Sequence, residues 1–125
     1  MTNYTYEYPR AMNTVDAIII DSETKSRVLL INRLNEPYKN CWALPGGFIE
    51  MDEKLLDSVV RETLEETSLR GIDFKQFRTY GDPGRDPRGR NITVVFYGFC
   101  DKPEKAIAGD DAKSLQWFNL NNLPE

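Results

Sequence analysis

The sequence contains no histidine, only two cysteines, and no apolar run as long as a membrane-spanning helix. Without histidine, histidine-based catalytic triads, histidine general bases and most familiar zinc sites are excluded. Cys41 and Cys100 lie far apart in sequence and in apolar surroundings, so we expect buried free thiols in a reducing compartment. Any chemistry is therefore expected to come from carboxylates.

Targeting signals are also lacking. The first ten residues have neither the basic start nor the apolar stretch of a signal peptide. Apolar residues make up 40% of the chain and charged residues 29%, which is typical of globular proteins. We expect a soluble cytoplasmic protein without a membrane partner, and a length of 125 residues suits a single domain over residues 1–125.

Basic residues are not in excess, because the formal net charge is -4. Residues 50–70 hold seven acidic residues against three basic ones, and the rest of the chain is neutral overall. Nucleic-acid binding is not expected, since it needs a basic stripe or patch.

Runs of β-branched and aromatic residues predict a mixed sheet packed by helices. The first two runs are joined by a polar stretch that favours a hairpin. The Pro45-Gly46-Gly47 turn is expected to interrupt regular structure. Residues 81–90 are predicted to form a loop rich in proline, glycine and arginine. The predicted strands cover residues 15–20, 27–31, 74–80, 92–100 and 115–118.

A helix is predicted over residues 51–68, with Asp52 as its N-cap. Apolar side chains recur there at three- and four-residue spacing and predict a wide apolar face. That face would hold Leu55, Leu56, Val59, Val60, Thr63 and Leu64.

Three glutamates on this helix, Glu62, Glu65 and Glu66, are three and four residues apart, so their carboxylates project from neighbouring positions. Their mutual repulsion costs a few tenths of a kcal/mol per pair, about 0.3, and a nearby cation would relieve it. Arg61, four residues before Glu65, is expected to relieve only part of it. Such hard oxygen ligands favour Mg²⁺ or Mn²⁺, which in turn bind phosphate. The alternative is a solvated helix face with ordinary ion pairs.

The register of these glutamates with two earlier residues is specific. The pattern resembles the Nudix box: Gly47 is followed after five residues by Glu53, and after seven more by Arg61-Glu62-x-x-Glu65-Glu66. The resemblance implies a Nudix α/β/α sandwich, with a mixed β-sheet between helices. Thr63 departs from the box, which usually has an aliphatic residue there, but its methyl group can pack. Ser68 replaces a glycine, so the helix end is expected to differ in shape.

By this resemblance Glu62, Glu65 and Glu66 would ligate the metal together with the backbone of Gly47. Glu53 would support the site, and Arg61 would orient the glutamates. Gly46 and Gly47 would offer backbone contacts to the substrate. A metal-activated water would attack phosphorus. The base that deprotonates it would be Glu66, or an acid from a distant loop, for which the candidates are Glu104, Asp110 and Asp111.

Segments outside the box resemble the ADP-ribose pyrophosphatase branch of this family: Tyr8-Pro9-Arg10, residues 81–90, residues 109–112 and Trp117-Phe118. Arg10, Arg85 and Arg88 are predicted to bind a phosphate or ribose of the substrate. For the loop arginines the alternative is pairing with Asp82 or Asp86. The leading hypothesis is hydrolysis of ADP-ribose to AMP and ribose 5-phosphate.

Two other functions stay open. One is a nucleoside triphosphate pyrophosphatase, and the other is a non-catalytic ADP-ribose sensor domain of a transcriptional regulator. Such regulators carry a winged helix after the Nudix domain, for which this sequence leaves no residues; however, residues 120–125 resemble the start of a last helix, which suggests C-terminal truncation. Tyr4, Tyr6 and Tyr8 are candidates for a homodimer interface.

Overall fold

The computed structural model describes residues 3–109 and 112–124. Within those ranges the chain forms seven strands, one α-helix and one 3₁₀ helix. The strands and helices are β1 Met12–Asp21, β2 Arg27–Arg33, β3 Trp42–Ala43, β4 Gly46–Phe48, α1 Leu55–Thr67, β5 Lys75–Tyr80, β6 Asn91–Cys100, the 3₁₀ helix Pro103–Lys105 and β7 Ala112–Asn119. The five predicted strands and the loop at residues 81–90 are thus confirmed.

All seven strands belong to one mixed sheet with the order β3-β2-β1-β6-β5, in which β4 also pairs with β1 and β7 with β2. The pairing of β1 with β6 is parallel and runs from Met12↔Asn91 to Asp21↔Cys100. The other pairings are antiparallel. A mixed sheet packed by a helix confirms the predicted fold class.

The hairpin strands β1 and β2 diverge. They pair at Ile20↔Val28, near the turn. Farther from the turn β4 takes the free edge of β1, and β3 takes the corresponding edge of β2. The expectation that Pro45-Gly46-Gly47 interrupts regular structure is therefore wrong for the glycines, which lie in a strand because a ladder partner is available. The divergence opens a cleft between the two hairpin strands.

Helix α1 packs on the sheet face that carries Val15, Ala17 and Ile19, which alternate along β1 as expected of a strand with one buried face. Val59 of α1 is fully buried in this cluster. The apolar face of α1 is narrower than predicted, because Leu56 and Val60 are 47% and 44% exposed.

The ends of α1 differ from the prediction. Lys54, not Asp52, is the N-cap, and no side chain caps the first turn. At the other end Ser68 adopts a left-handed conformation with φ of 66°. Serine therefore takes the backbone shape that glycine would take, and the expected change in the helix end is not seen. Its Oγ donates to the carbonyl of Ile107 at 3.1 Å.

Burial decides the prediction made for the two cysteines. Cys100 is buried as predicted, whereas Cys41 is exposed, which corrects the prediction for that thiol. None of the helices in the described ranges is long and apolar enough to cross a membrane. Tyr4, Tyr6 and Tyr8 are exposed, and the homodimer interface stays a prediction.

Candidate active site

Most of the predicted site residues line the cleft between β1 and β2, which has a volume of about 720 Å³. This size suits a small-molecule ligand. The predicted residues in its lining are Gly46, Gly47, Arg61, Glu62, Glu66, Arg85 and Arg88. The helix α1 supplies the acidic side of the cleft, and the loop after β5 supplies the arginines.

Arg61 organises the acidic side. Its Nε and Nη2 donate to the two carboxylate oxygens of Glu53 at 2.7 and 3.0 Å, a bidentate pair. Its Nη1 donates to Glu62 at 2.7 Å and to Glu65 at 3.3 Å, while Nη2 also donates to the carbonyl of Phe48 at 3.1 Å. One cation therefore offsets repulsion among three carboxylates, which is more than the sequence predicted.

This ion-pair network shifts the protonation of its members. Hydrogen bonds from Arg61 lower the pKa of Glu53 from its usual 4.5 to about 2, and the backbone N–H of Glu50 contributes. The same bonds, from Glu53 first and then from Glu62, raise the pKa of Arg61 above its ordinary value. Glu53 and Arg61 thus stay charged throughout the physiological pH range.

The backbone of β4 lies against the glutamates. The N–H of Gly46 donates to Glu66 Oε1 at 2.7 Å, and Glu66 is only 4% exposed. At Gly47 an added Cβ would lie 2.6 Å from Cδ of Glu62, so a side chain there would displace that carboxylate. The paired glycines therefore let the strand and the helix approach closely enough to share one site.

The donor chemistry fits a hard divalent cation. Glu62 and Glu65 already share one cationic nitrogen, Nη1 of Arg61, and carboxylate oxygens are the ligands that Mg²⁺ and Mn²⁺ prefer. Across residues 3–109 and 112–124, however, no group of three or more acidic side chains is gathered to hold a metal ion. Metal binding by these carboxylates therefore stays a prediction.

The candidate bases lie in different places. Glu66 lines the cleft. Glu104 is exposed in the 3₁₀ helix and does not line it. Asp110 and Asp111 lie outside the described residues. Gly109 donates its N–H to the carbonyl of Glu66 at 3.1 Å, and so the chain is attached to the end of α1 at Gly109.

The arginine loop meets the cleft from the other side. Arg88 donates to Asp86 from Nη2 at 2.7 Å and from Nε at 3.1 Å, and its guanidinium lies 5.0 Å from the ring centroid of Phe48. Hydrogen bonds from Arg88 lower the pKa of Asp86, and Asp86 in turn raises the pKa of Arg88. The pairing foreseen as the alternative for Arg88 is therefore present, although the side chain still lines the cleft.

The other two predicted arginines differ from Arg88. Arg85 lines the cleft and donates weakly to the carbonyl of Asn91 at 3.4 Å. Arg10 does not line the cleft, and its guanidinium lies 4.1 Å from the ring centroid of Tyr6. A substrate contact by Arg10 stays a prediction.

Sequence reasoning missed Asp16, which lines the cleft from β1. Thr93 Oγ1 donates to its Oδ2 at 2.6 Å, and burial raises the pKa of the Asp16 carboxyl. Thr14 and Asn91 lie beside it on the same wall and contact each other at 3.3 Å, from Asn91 Nδ2 to Thr14 Oγ1. An acidic residue within the apolar run of residues 15–20 was the signal that could have found it.

Comparisons with known proteins identify the family. The NUDIX domain family matches residues 11–125. The chain is 47% identical over 111 residues, 89% of its length, to the ADP-ribose pyrophosphatase of Methanocaldococcus jannaschii. It is 39% identical over 117 residues, 91% of its length, to the ADPR responsive transcriptional repressor NtrR of Acinetobacter baylyi. It spans 63% and 47% of the length of these two relatives.

A solved structure shares the fold. The NUDIX domain of Shewanella oneidensis NrtR, complexed with ADP ribose, matches with a TM-score of 0.79 and 29% identity. The match covers 95% of this chain and 80% of that one. The family match covers nearly the whole chain, and Gly47, Arg61, Glu62 and Glu66 line one cleft. The chain therefore belongs to the Nudix family.

Proposed function

We propose that this chain is a Mg²⁺- or Mn²⁺-dependent hydrolase that cleaves the diphosphate of ADP-ribose to AMP and ribose 5-phosphate. The observation that carries the proposal is a single cleft with glutamates and a glycine backbone on one side and Arg85 and Arg88 on the other. A substrate with a diphosphate between two polar groups suits such a cleft, and the relative that is 47% identical is an ADP-ribose pyrophosphatase.

Glu62, Glu65, Glu66 and the backbone of Gly47 would hold the metal. When bound, it would supply charge neutralisation of the diphosphate and a lower pKa for a coordinated water. Arg61 holds Glu53 and orients Glu62 toward β4, and the Gly46 N–H fixes Glu66. Arg85 and Arg88 would donate to phosphate oxygens on the opposite side of the cleft.

In the reaction, water would attack one phosphorus atom, the bridging P–O bond would break, and the second phosphate would leave. A carboxylate would accept the proton of the attacking water. Glu66, in the cleft, and Glu104, Asp110 and Asp111, in or next to the segment after β6, are the candidates for this base. Replacement of each by its amide, with the pH–rate profile measured, separates them, because loss of the base removes the acidic limb of the profile.

The test is an assay of purified protein with ADP-ribose and Mg²⁺, in which AMP and ribose 5-phosphate are separated by chromatography. We expect turnover that is abolished by EDTA and that falls at least about 100-fold in Glu65→Gln and Glu66→Gln. Glu23→Gln, which changes an exposed glutamate in the β1–β2 turn, is the matched control and should behave as wild type. Hydrolysis of nucleoside triphosphates but not of ADP-ribose would favour the triphosphate pyrophosphatase.

A second function, an ADP-ribose sensor, is favoured by the 39% identity to the repressor NtrR. Calorimetry distinguishes the two functions: binding of ADP-ribose without turnover under any divalent metal supports the sensor.

A further inference from the structure

The wall of the cleft that β1 forms carries an acceptor that the proposed chemistry does not use. Asp16 accepts a hydrogen bond from Thr93 at Oδ2, and among residues 3–109 and 112–124 its Oδ1 has no hydrogen-bond partner. A Cβ at Gly46 would lie 2.5 Å from this Oδ1. The carboxylate therefore occupies space that only a glycine at position 46 leaves open.

A carboxylate at this position is unfavourable for an anionic ligand unless it makes a specific contact. Burial raises the pKa of Asp16, and the hydrogen bond from Thr93, followed by the nearby Arg85 and Arg33, only partly offsets that cost. An ionised carboxylate can only accept hydrogen bonds, and so can the phosphate oxygens of a nucleotide. Asp16 must therefore meet a donor, which on a nucleotide sugar is a sugar hydroxyl or the amino group of the base.

Position decides between these two donors. Asp16 pairs with Gly46 in the β1–β4 ladder, and paired strands lie about 4.8 Å apart. The N–H of Gly46 contacts Glu66, so Asp16 is close to the acidic side of the cleft. The hydroxyls of a ribose 5-phosphate lie only a few bonds from the phosphorus, whereas a base amino group lies beyond the whole sugar. The sugar is therefore the part of the substrate within reach.

We propose that Asp16 is a specificity-determining residue that accepts a hydrogen bond from a ribose hydroxyl next to the diphosphate, with Thr93 as its positioning residue. This role of Asp16 rests on the proposed function, because it concerns the sugar of the same substrate. Asp16 would select nucleoside diphosphates linked to hydroxylated sugars over deoxy analogues, because a buried acceptor without its donor is costly.

The test is equilibrium binding in EDTA, which does not depend on catalysis. Calorimetry would compare wild type with Asp16→Ala for ADP-ribose and for two dideoxy analogues, one lacking the hydroxyls of the adenosine ribose and one lacking those of the terminal ribose. We expect Asp16→Ala to weaken ADP-ribose about 10- to 100-fold, as for a hydrogen bond to a charged group. For the analogue that lacks the contacted hydroxyl, the same variant should bind as wild type does.

The direction of the change in ADP-ribose affinity in Asp16→Ala distinguishes a hydrogen-bond acceptor from a repelling charge. If Asp16 only repels the anionic ligand, its removal tightens ADP-ribose binding, and the proposal is overturned. Equal weakening for ADP-ribose and both analogues, or no change, overturns it as well. If Asp16→Ala melts below the assay temperature, Asp16→Leu takes its place, because it has a similar branched shape and also lacks the acceptor. Asp73→Asn, an exposed carboxylate outside the cleft, is the matched control.

Thr93→Val tests the positioning role. It removes the hydroxyl that holds Oδ2, and we expect a smaller loss of ADP-ribose affinity than in Asp16→Ala, with no further loss when both changes are combined. Additive losses would contradict this role. Binding that depends on Asp16 without any hydrolysis would sustain this inference and reject the proposed function. Hydrolysis of ADP-ribose with no effect of Asp16 would do the opposite.

Discussion

The carboxyl group of Glu62 lies where a side chain at position 47 would begin, since a Cβ on Gly47 would stand 2.6 Å from its Cδ. The contact joins β4 to α1 and involves the flexible end of a side chain. At the neighbouring Gly46 a Cβ would instead lie 2.2 Å from the backbone carbonyl oxygen of Val15. The two glycines are therefore required for different reasons.

Gly47→Ala is expected to displace Glu62 and to lower kcat for ADP-ribose hydrolysis about 100-fold with little loss of stability, because the side chain can move and a small misplacement is costly. Gly46→Ala is expected to lower the melting temperature, because the backbone of β1 cannot yield. The two variants are compared by steady-state kinetics and thermal unfolding. Equal destabilisation in both would contradict the distinction.

Thr63→Val is expected to raise the free energy of unfolding by about 1 kcal/mol, as measured by urea denaturation. Thr63 is 2% exposed, and its Oγ1 is buried without a hydrogen-bond partner in the described chain, so the hydroxyl only costs desolvation. Thr67→Val is the matched control and should be destabilising, because Thr67 Oγ1 donates to the carbonyl of Thr63 at 2.6 Å. A less stable Thr63→Val protein would reveal an unrecognised role of that hydroxyl.

Ser68→Gly is expected to be about 1 kcal/mol more stable than Ser68→Ala. Both variants lose the hydrogen bond from Oγ to Ile107, so their difference isolates the cost of a φ of 66° for a residue with a side chain. Chemical unfolding of the two proteins measures it directly. Equal stabilities would mean that position 68 relaxes out of the left-handed region.

The stability gained from Asp86 should depend on pH. Arg88 holds the pKa of Asp86 below its ordinary 3.8, so the contribution is fully present above 3.8 and is lost as the pH falls further. The difference in unfolding free energy between wild type and Asp86→Asn should therefore shrink below pH 3.8, as followed by urea unfolding across pH. Asp82→Asn, in the same loop and exposed, is the control. A difference that does not vary with pH would reject the role of ionisation.

The sequence predicted elements whose signal is local. The apolar runs of β1 and β6 and the three- and four-residue spacing in α1 are visible along the chain, and so is the contact of Arg61 with Glu65 one turn away. Strand β4 was missed because its signal is not local. Proline and glycine disfavour a strand by themselves, and only the free edge of β1 makes one.

The contacts of Asp16 could not be predicted for the same physical reason, although an acidic residue within an apolar run was a local signal. Its partner Thr93 is 77 residues away, and its neighbour Gly46 reaches it through the β1–β4 ladder. The N-cap prediction was wrong for a different reason. Glu53 is held by Arg61 and by the N–H of Glu50, and the helix begins only after Lys54, so Asp52 lies two residues before the N-cap. In both cases contacts between residues distant in sequence determined the structure.

The separation of β1 from β2 gives the two sides of the cleft independent supports. The side with Asp16 is anchored to β6, and the side with Arg33 is anchored to β7, while α1 rests on the opposite face of β1. The ladder that holds one wall, β1–β6, is therefore separate from the ladder that holds the other wall, β2–β7. For protein engineering, this arrangement predicts that residues on the β2 wall can be varied while α1 keeps its packing on β1.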